Sequence, residues 1–126
     1  MRKGISFIAA SFVLIFIGLA PASAASGEKL FKKCKMCHSL DEGKNKIGPS
    51  LYDLFNRKAG TVENYKYSKA MKNSDFVWDD KILDIFIAKP RLAIPKTKMS
   101  FRGIKDEQDR TALIEYLHEA TKPKWK

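Results

Sequence analysis

The chain has 126 residues, 24 Lys and Arg against 14 Asp and Glu, and a formal net charge of +10. This length leaves room for one domain, and residues 25–126 contain no internal repeat or low-complexity tract. Positive charge alone would also suit nucleic acid, but no motif of a known nucleic-acid-binding module accompanies it, so we expect no nucleic-acid partner.

The first 24 residues have the pattern of a secretory signal. Arg2 and Lys3 precede an apolar stretch over residues 5–20, and the small triplet Ala22-Ser23-Ala24 follows it. The stretch is shorter than the ~20 residues that span a bilayer comfortably, which favours cleavage after residue 24 over retention as an anchor. We predict a cleaved signal peptide over 1–24, a mature domain over 25–126 with a formal charge of +8, and a periplasmic location.

Helix caps and apolar spacing predict an all-α domain with long loops. Ser26 is a suitable N-cap for a first helix, which carries Leu30 and Phe31 on its apolar side. The polar, aperiodic residues 39–49 predict a loop. The later predicted elements are a helical turn over 50–55, an irregular segment over 57–66, a short helix capped by Ser68 through Asn73, a helix over 80–88 capped by Asp79 and stopped by Pro90, an extended segment between Pro90 and Pro95, and a last helix to about Ala120 capped by Asp106.

The run Cys34-Lys35-Met36-Cys37-His38 at the end of the first helix has the Cys-x-x-Cys-His spacing that attaches haem covalently. Two thiols three positions apart can form thioethers with the two vinyl groups, and the following histidine becomes an axial ligand of the iron. A redox dithiol normally accompanies alternating strands and helices, and a zinc site needs further ligands, whereas the other histidine, His118, is far along the chain. We therefore predict one haem c, bound through Cys34 and Cys37 and ligated by His38.

Four residues are candidates for the other axial position. Met36 lies inside the attachment motif, His118 is expected to pack or to lie at the surface, and Met71 is expected to pack against the ring. Met99 lies in a proline-bounded loop, which can present a thioether without using a helix position. Met36 cannot reach across the ring from its place in the motif, so we expect Met99 to be the ligand.

At this point the chain resembles the class I cytochrome c family, in its mitochondrial and α-proteobacterial, cytochrome c2-like branch. The resemblance implies that family's fold, in which a few short helices and long loops wrap one covalently bound haem. It rests on Gly27 and Phe31, Cys34-Lys35-Met36-Cys37-His38, Ile47-Gly48-Pro49, Leu54-Phe55-Asn56-Arg57-Lys58-Ala59-Gly60, Tyr67-Ser68-Lys69-Ala70, Val77-Trp78, Ile94-Pro95-Lys96-Thr97-Lys98-Met99 and Leu113-Ile114-Glu115-Tyr116-Leu117.

The resemblance also implies roles for residues around the haem. The carbonyl of Pro49 would accept a hydrogen bond from the second nitrogen of His38. A group of donors would hold the propionates, whose burial without donors would be costly: Arg57, Tyr67, Trp78 and Thr97.

Three positions depart from the family pattern. Met71 stands where the mitochondrial proteins usually have asparagine, Phe86 where they usually have tyrosine, and Lys96 where they usually have glycine. The strength of the Met99–iron bond therefore does not follow from the family.

An iron with histidine and methionine on its two faces has no open position for a substrate, so we predict a one-electron carrier that is not an enzyme. The resemblance implies respiratory partners, a quinol:cytochrome c oxidoreductase as donor and a cytochrome c oxidase as acceptor. The alternatives are a small peroxidase-like haem enzyme, for which no distal acid-base histidine is evident, and a dedicated redox partner of a dehydrogenase.

Basic residues flank both predicted ligand segments, which predicts a ring of positive charge that steers acidic partners. We expect a monomer that contacts membranes only through its partners, unless the leader is retained. The basic residues are Lys29, Lys32, Lys33, Lys35, Lys44, Lys46, Lys89, Lys96, Lys98, Arg102 and Lys105.

Overall fold

The computed structural model describes Gly4 and residues 25–124, so the predicted signal peptide lies outside the described residues apart from Gly4. Within this part the chain forms five helices and no strand, and one isolated antiparallel bridge joins Lys58 to Val77. No helix in it is long and apolar enough to cross a membrane. The helices are α1 (Gly27–Lys35), α2 (Lys69–Lys72), α3 (Asp80–Ala88), α4 (Pro90–Ala93) and α5 (Glu107–Ala120).

The four helix starts predicted from capping residues are confirmed. In each case the side chain of the cap accepts a hydrogen bond from a backbone N–H in the first turn, which satisfies one of the donors that a helix start leaves free. The caps are Ser26 for α1, at 3.3 Å from the nitrogen of Lys29, Ser68 for α2, at 3.1 Å from that of Met71, Asp79 for α3, at 2.7 Å from that of Ile82, and Asp106 for α5, at 2.9 Å from that of Asp109.

The helical turn predicted over residues 50–55 is wrong. Asp53 and Asn56 have left-handed backbones, with φ of 51° and 65°, and a right-handed helical turn cannot include such residues. The hydroxyl of Ser50 instead accepts a hydrogen bond from the N–H of Tyr52 at 3.1 Å. Side-chain bonding to the local backbone thus replaces the helix with turns.

The extended segment predicted between Pro90 and Pro95 is also wrong. Pro90 ends α3 as expected, but it occupies the first position of α4, where a missing N–H costs nothing and the fixed φ suits a helix. The N–H of Ile94 donates to the carbonyl of Pro90 at 2.9 Å and closes this short helix. The same proline therefore stops one helix and starts the next.

Helices α1 and α5 cross at Gly27. A Cβ at this position would lie 2.2 Å from the carbonyl oxygen of Ala112 and 2.4 Å from Cβ of Tyr116, so only glycine allows this approach. One turn further along, the rings of Phe31 and Tyr116 have centroids 5.5 Å apart. The crossing fixes the position of the end of α1, which carries Cys34 and leads directly into Cys37.

His118 joins α5 to α3 and to the loop between α1 and α2. Its ring stacks on Phe55 with centroids 3.7 Å apart, and its Nε2 lies 2.6 Å from Oδ1 of Asp80. The prediction of a packing or surface role for His118 is confirmed. Beside it, Arg110 of α5 pairs with Asp84 of α3 at 2.6 Å.

Candidate functional site

A cavity of about 290 Å³ lies between the end of α1, helices α3 and α5, and the loops. Apolar side chains from the helices, including Leu83, Phe86 and Leu117, form much of its wall. All nine site residues predicted from the sequence line it: Cys34, Cys37, His38, Pro49, Arg57, Tyr67, Trp78, Thr97 and Met99.

The two cysteines come together on one wall because the chain turns tightly at the end of α1. The backbone nitrogens of Cys37 and His38 both donate to the carbonyl of Cys34, at 3.0 and 2.9 Å. Both thiols are free and half-buried. The pKa of the Cys34 thiol is raised to about 11, mainly by burial and secondly by the neighbouring Cys37. This sulfur is therefore protonated at neutral pH.

His38 is held by backbone on two sides. Its Nδ1 donates to the carbonyl of Pro49 at 2.7 Å, which leaves the lone pair on Nε2. A Cβ on Gly48 would lie 2.4 Å from Cε1 of the ring, so only glycine fits against this imidazole. Burial, only partly offset by the bond to Pro49, lowers the pKa of His38 and favours the neutral ring. A neutral, oriented imidazole is the form that binds a metal.

Arg57 brings a partly buried positive charge to the cavity. Its guanidinium donates to the carbonyls of Tyr52 and Ser50, in the latter case at 3.1 Å. Burial lowers the pKa of Arg57, because removing this cation from water costs free energy. Two carbonyls orient the group without neutralising its charge, so the site suits an anionic group of a ligand.

Three further residues with hydrogen-bonding groups line the cavity. The Tyr67 hydroxyl accepts from the N–H of Val62 at 3.2 Å, and burial raises the pKa of Tyr67, so the phenol keeps its proton and can donate it to a ligand. Trp78 is buried, and its ring lies edge-on to Phe76 with centroids 5.0 Å apart. Thr97 contributes a hydroxyl from the loop before Met99.

Met99 lies half-buried in the wall, in the loop that follows α4. The Thr97 hydroxyl accepts from the N–H of Met99 at 3.3 Å, and the ammonium of Lys98 donates to the carbonyl of Lys66 at 2.7 Å. Met71 also lines the cavity and is buried, whereas Met36 is 75 % exposed and does not line it. Of the four sequence candidates for the second axial ligand, Met99 and Met71 thus reach the cavity.

Two elements of the site were not predicted as functional. Gly48 stands in the sequence as part of the Ile47-Gly48-Pro49 motif, and its contact with His38 involves a residue ten positions earlier in the chain. The carbonyls that orient Arg57 belong to Ser50 and Tyr52, and a backbone carbonyl carries no signal in the sequence. A glycine directly before Pro49 is the one sign that a close approach was required.

These residues fit a covalently attached haem. The cavity offers two free thiols for thioethers, a neutral imidazole and a thioether for the iron, and a cation with hydroxyl donors for carboxylates. Its apolar walls suit the porphyrin surface.

The comparisons with known proteins agree with this site. The sequence model of the family described as "Cytochrome c" matches residues 24–121. The cytochrome c2 of Blastochloris viridis is 46 % identical over 124 residues, which cover 93 % of this chain and 92 % of that protein. The cytochrome c of Nigella damascena is 47 % identical over 105 residues, covering 81 % and 95 %.

A solved structure gives the same answer for the fold. Cytochrome cH from Methylobacterium extorquens superposes with a TM-score of 0.70 at 39 % identity, covering 78 % of this chain and 99 % of that one.

The fold, together with the family match and the relatives named cytochrome c, defines an all-α electron carrier rather than an enzyme. The chain belongs to the cytochrome c family, and its cofactor is one covalently bound haem c. The predicted class, fold and cofactor are confirmed.

Proposed function

We propose that the chain carries one electron at a time on a haem c bound through Cys34 and Cys37, with His38 and Met99 as the axial ligands. The observation that carries this proposal is the placement of these four side chains on one cavity, with Nδ1 of His38 fixed at 2.7 Å by Pro49. Bound haem supplies an iron that cycles between the ferric and ferrous states.

The protein's part is to hold both axial donors in place during that cycle. Pro49 and Gly48 fix the ring of His38. The N–H of Met99 donates to the hydroxyl of Thr97, and the bond from Lys98 to the carbonyl of Lys66 ties the same loop to another segment. Since neither donor leaves, no position opens for a substrate and little rearrangement accompanies electron transfer. A methionine donor also favours the reduced state and raises the potential.

Arg57, Tyr67, Trp78 and Thr97 are proposed to hold the propionates. Each lines the cavity, and Arg57 brings a charge that the two carbonyls bound to it do not cancel. A carboxylate beside this guanidinium would pair two buried charges of opposite sign, each of which would be costly to bury alone.

The proposed setting is respiration in the periplasm, between a quinol:cytochrome c oxidoreductase and a terminal oxidase. The match to a bacterial protein named cytochrome c2 supports it, as does the signal-like pattern of residues 1–24. The surface charge supports it as well, because Lys33 and Lys98, from two distant segments of the chain, both line the cavity. Positive charge there would steer and orient an acidic partner. We also propose that the carrier is a monomer.

The experiment that tests this proposal is expression in a host that attaches haem c, followed by denaturing electrophoresis stained for haem. The parent protein should show the ferrous α-band and keep its haem in the gel. The double variant Cys34→Ser/Cys37→Ser should lose the haem on denaturation, while Met36→Leu, which alters an exposed residue of the same motif, should keep it. Haem retained by the double variant would contradict the attachment sites.

A further inference from the structure

A β-turn precedes Met99. The N–H of Thr97 donates to the carbonyl of Ile94 at 3.1 Å, with Pro95 and Lys96 at the two central positions. Lys96 has φ of 66°, so the turn has the type II pattern, which requires a positive φ at its third residue. Glycine and asparagine adopt that conformation readily, whereas a lysine Cβ crowds the following carbonyl.

Lys96 differs from the other left-handed residues of the chain. Among the described residues, three more non-glycine positions have positive φ, and all of them are Asp or Asn, whose short polar side chains tolerate it: Asp53, Asn56 and Asn64. Lys96 is exposed, so packing against the core does not offset its strain. A strained residue therefore lies three positions before the proposed iron ligand.

The loop that contains this turn is anchored at both ends. Ile94, the first residue of the turn, is buried, and beyond Met99 the N–H of buried Ile104 donates to the carbonyl of Ile87 at 2.9 Å. Gly103 approaches the carbonyl of Ala88 so closely that a Cβ would lie 2.0 Å from it. Since both ends are fixed, the strain at Lys96 is released by opening of the turn itself, which moves Met99.

We propose that Lys96 is a positioning residue that weakens the hold of this loop on Met99 and so sets how readily an external ligand displaces Met99 from the iron. The proposal rests on the proposed ligation by Met99. A glycine or asparagine at position 96 would remove the strain from the closed turn, in which Thr97 is bonded to Ile94. The open turn, in which this bond is broken, carries no strain with any of these residues. The closed, ligated arrangement would then become more populated.

The test is a titration of the ferric holoprotein with imidazole. The signal measured is the loss of the weak long-wavelength absorption of an iron–methionine bond. Lys96→Asn should raise the imidazole concentration at which half of Met99 is displaced by about three- to tenfold. This factor corresponds to a large part of the free energy that a left-handed conformation costs an L-residue. Lys96→Gly should also raise it, by a smaller factor, because glycine gains freedom in the open turn.

Two controls separate the backbone from other causes. Lys96→Ala removes the charge but keeps a Cβ at positive φ, so its midpoint should stay within about twofold of the parent. Asn64→Gly alters a left-handed residue outside the ligand loop, with φ of 56°, and should leave the midpoint unchanged. An unchanged midpoint in Lys96→Asn, or an equal increase in Lys96→Ala or Asn64→Gly, would overturn the proposal.

The same titration distinguishes this proposal from the ligand assignment. If the parent shows the iron–methionine absorption and Lys96→Asn has the same midpoint, the role of Lys96 is overturned and Met99 ligation stands. If the absorption is missing from the parent and from every variant, the Met99 assignment fails and the role of Lys96 fails with it. An absorption that is missing in the parent but present in Lys96→Asn would support both.

Discussion

Nδ1 of His38 lies 2.7 Å from the carbonyl oxygen of Pro49, a residue 11 positions further along the chain. This hydrogen bond fixes which ring nitrogen carries the proton, so the other nitrogen, Nε2, is free to bind a metal. The bond forms because Gly48, which has no side chain, lets the backbone pass directly against the imidazole. A single backbone segment thus sets both the protonation and the orientation of the proposed ligand.

Gly48→Ala should disturb this arrangement. The new Cβ would overlap Cε1 of His38, so the ring or the backbone must move, and we expect the free energy of unfolding of the holoprotein to fall by about 1–3 kcal/mol. Chemical denaturation measures the change. Gly43→Asn is the matched control, because no atom lies within 4 Å of a Cβ there and Asn tolerates its φ of 66°. Equal stability of Gly48→Ala and the parent would refute the close contact.

Gly27→Ala should destabilise the crossing of α1 and α5. Its Cβ would lie 2.2 Å from the carbonyl of Ala112, a backbone atom that cannot rotate away, so the helices must separate. We expect a loss of about 1–3 kcal/mol in the free energy of unfolding. Lys32→Ala, an exposed change on the same helix, should alter it by less than about 0.5 kcal/mol. A Gly27 variant as stable as the Lys32 variant would count against this packing.

Tyr67 should ionise above the ordinary pH range for tyrosine. Burial raises its pKa, so the folded protein keeps the proton while the unfolded chain releases it near pH 10. The contribution of Tyr67 to stability is therefore complete below pH 10 and is lost as the pH rises through the folded pKa. Burial also raises the pKa of Tyr52 and of Tyr65, so ultraviolet titration of the native protein should show a late step from several tyrosines. Tyr67→Phe should reduce the amplitude of this step by one phenol, and denaturant should shift the whole step down to near pH 10. A late step of unchanged amplitude in Tyr67→Phe would contradict the raised pKa of Tyr67.

Much of the fold follows from local signals. Ser26, Ser68, Asp79 and Asp106 predicted four helix starts, because a cap acts on backbone groups within one turn. Pro90 was ambiguous, since the ring that breaks one helix also suits the first position of another, and the sequence does not say which applies.

The site depends more on contacts between distant segments. The motif from Cys34 to His38 was evident from its spacing alone, but the roles of Arg57, Tyr67, Trp78 and Thr97 came only from the resemblance. The contact of Gly48 with His38 and the strain at Lys96 depend on backbone geometry, which composition and periodicity do not encode. Met71 and Met99 both reach the cavity, so burial by itself does not choose between them.

Charge at the cavity mouth should control the rate of electron transfer to an acidic terminal oxidase. The double variant Lys33→Gln/Lys35→Gln changes one lysine that lines the cavity and one that lies between the two cysteines. It should slow the reaction about three- to tenfold at low ionic strength and flatten its dependence on salt. Lys81→Gln/Lys124→Gln removes the same net charge from exposed positions that neither line the cavity nor belong to the attachment motif, and it should have a smaller effect. A rate that does not respond to salt in the parent, or equal effects of the two pairs, would contradict steering.

The predicted signal peptide has a direct test in the mass of the protein purified from the periplasm. Cleavage after Ala24 predicts a chain that begins at Ala25 and carries one haem c. A mass that includes Met1 and the apolar stretch would show instead that the leader is retained.

The central claim, a haem c held between His38 and Met99, is tested most directly by the long-wavelength absorption of the ferric holoprotein. The parent should show the weak absorption of an iron–methionine bond, Met99→Ala should lose it, and Met71→Leu, which changes the other methionine on the cavity wall, should keep it. Survival of the absorption in Met99→Ala together with its loss in Met71→Leu would contradict the account and make Met71 the ligand.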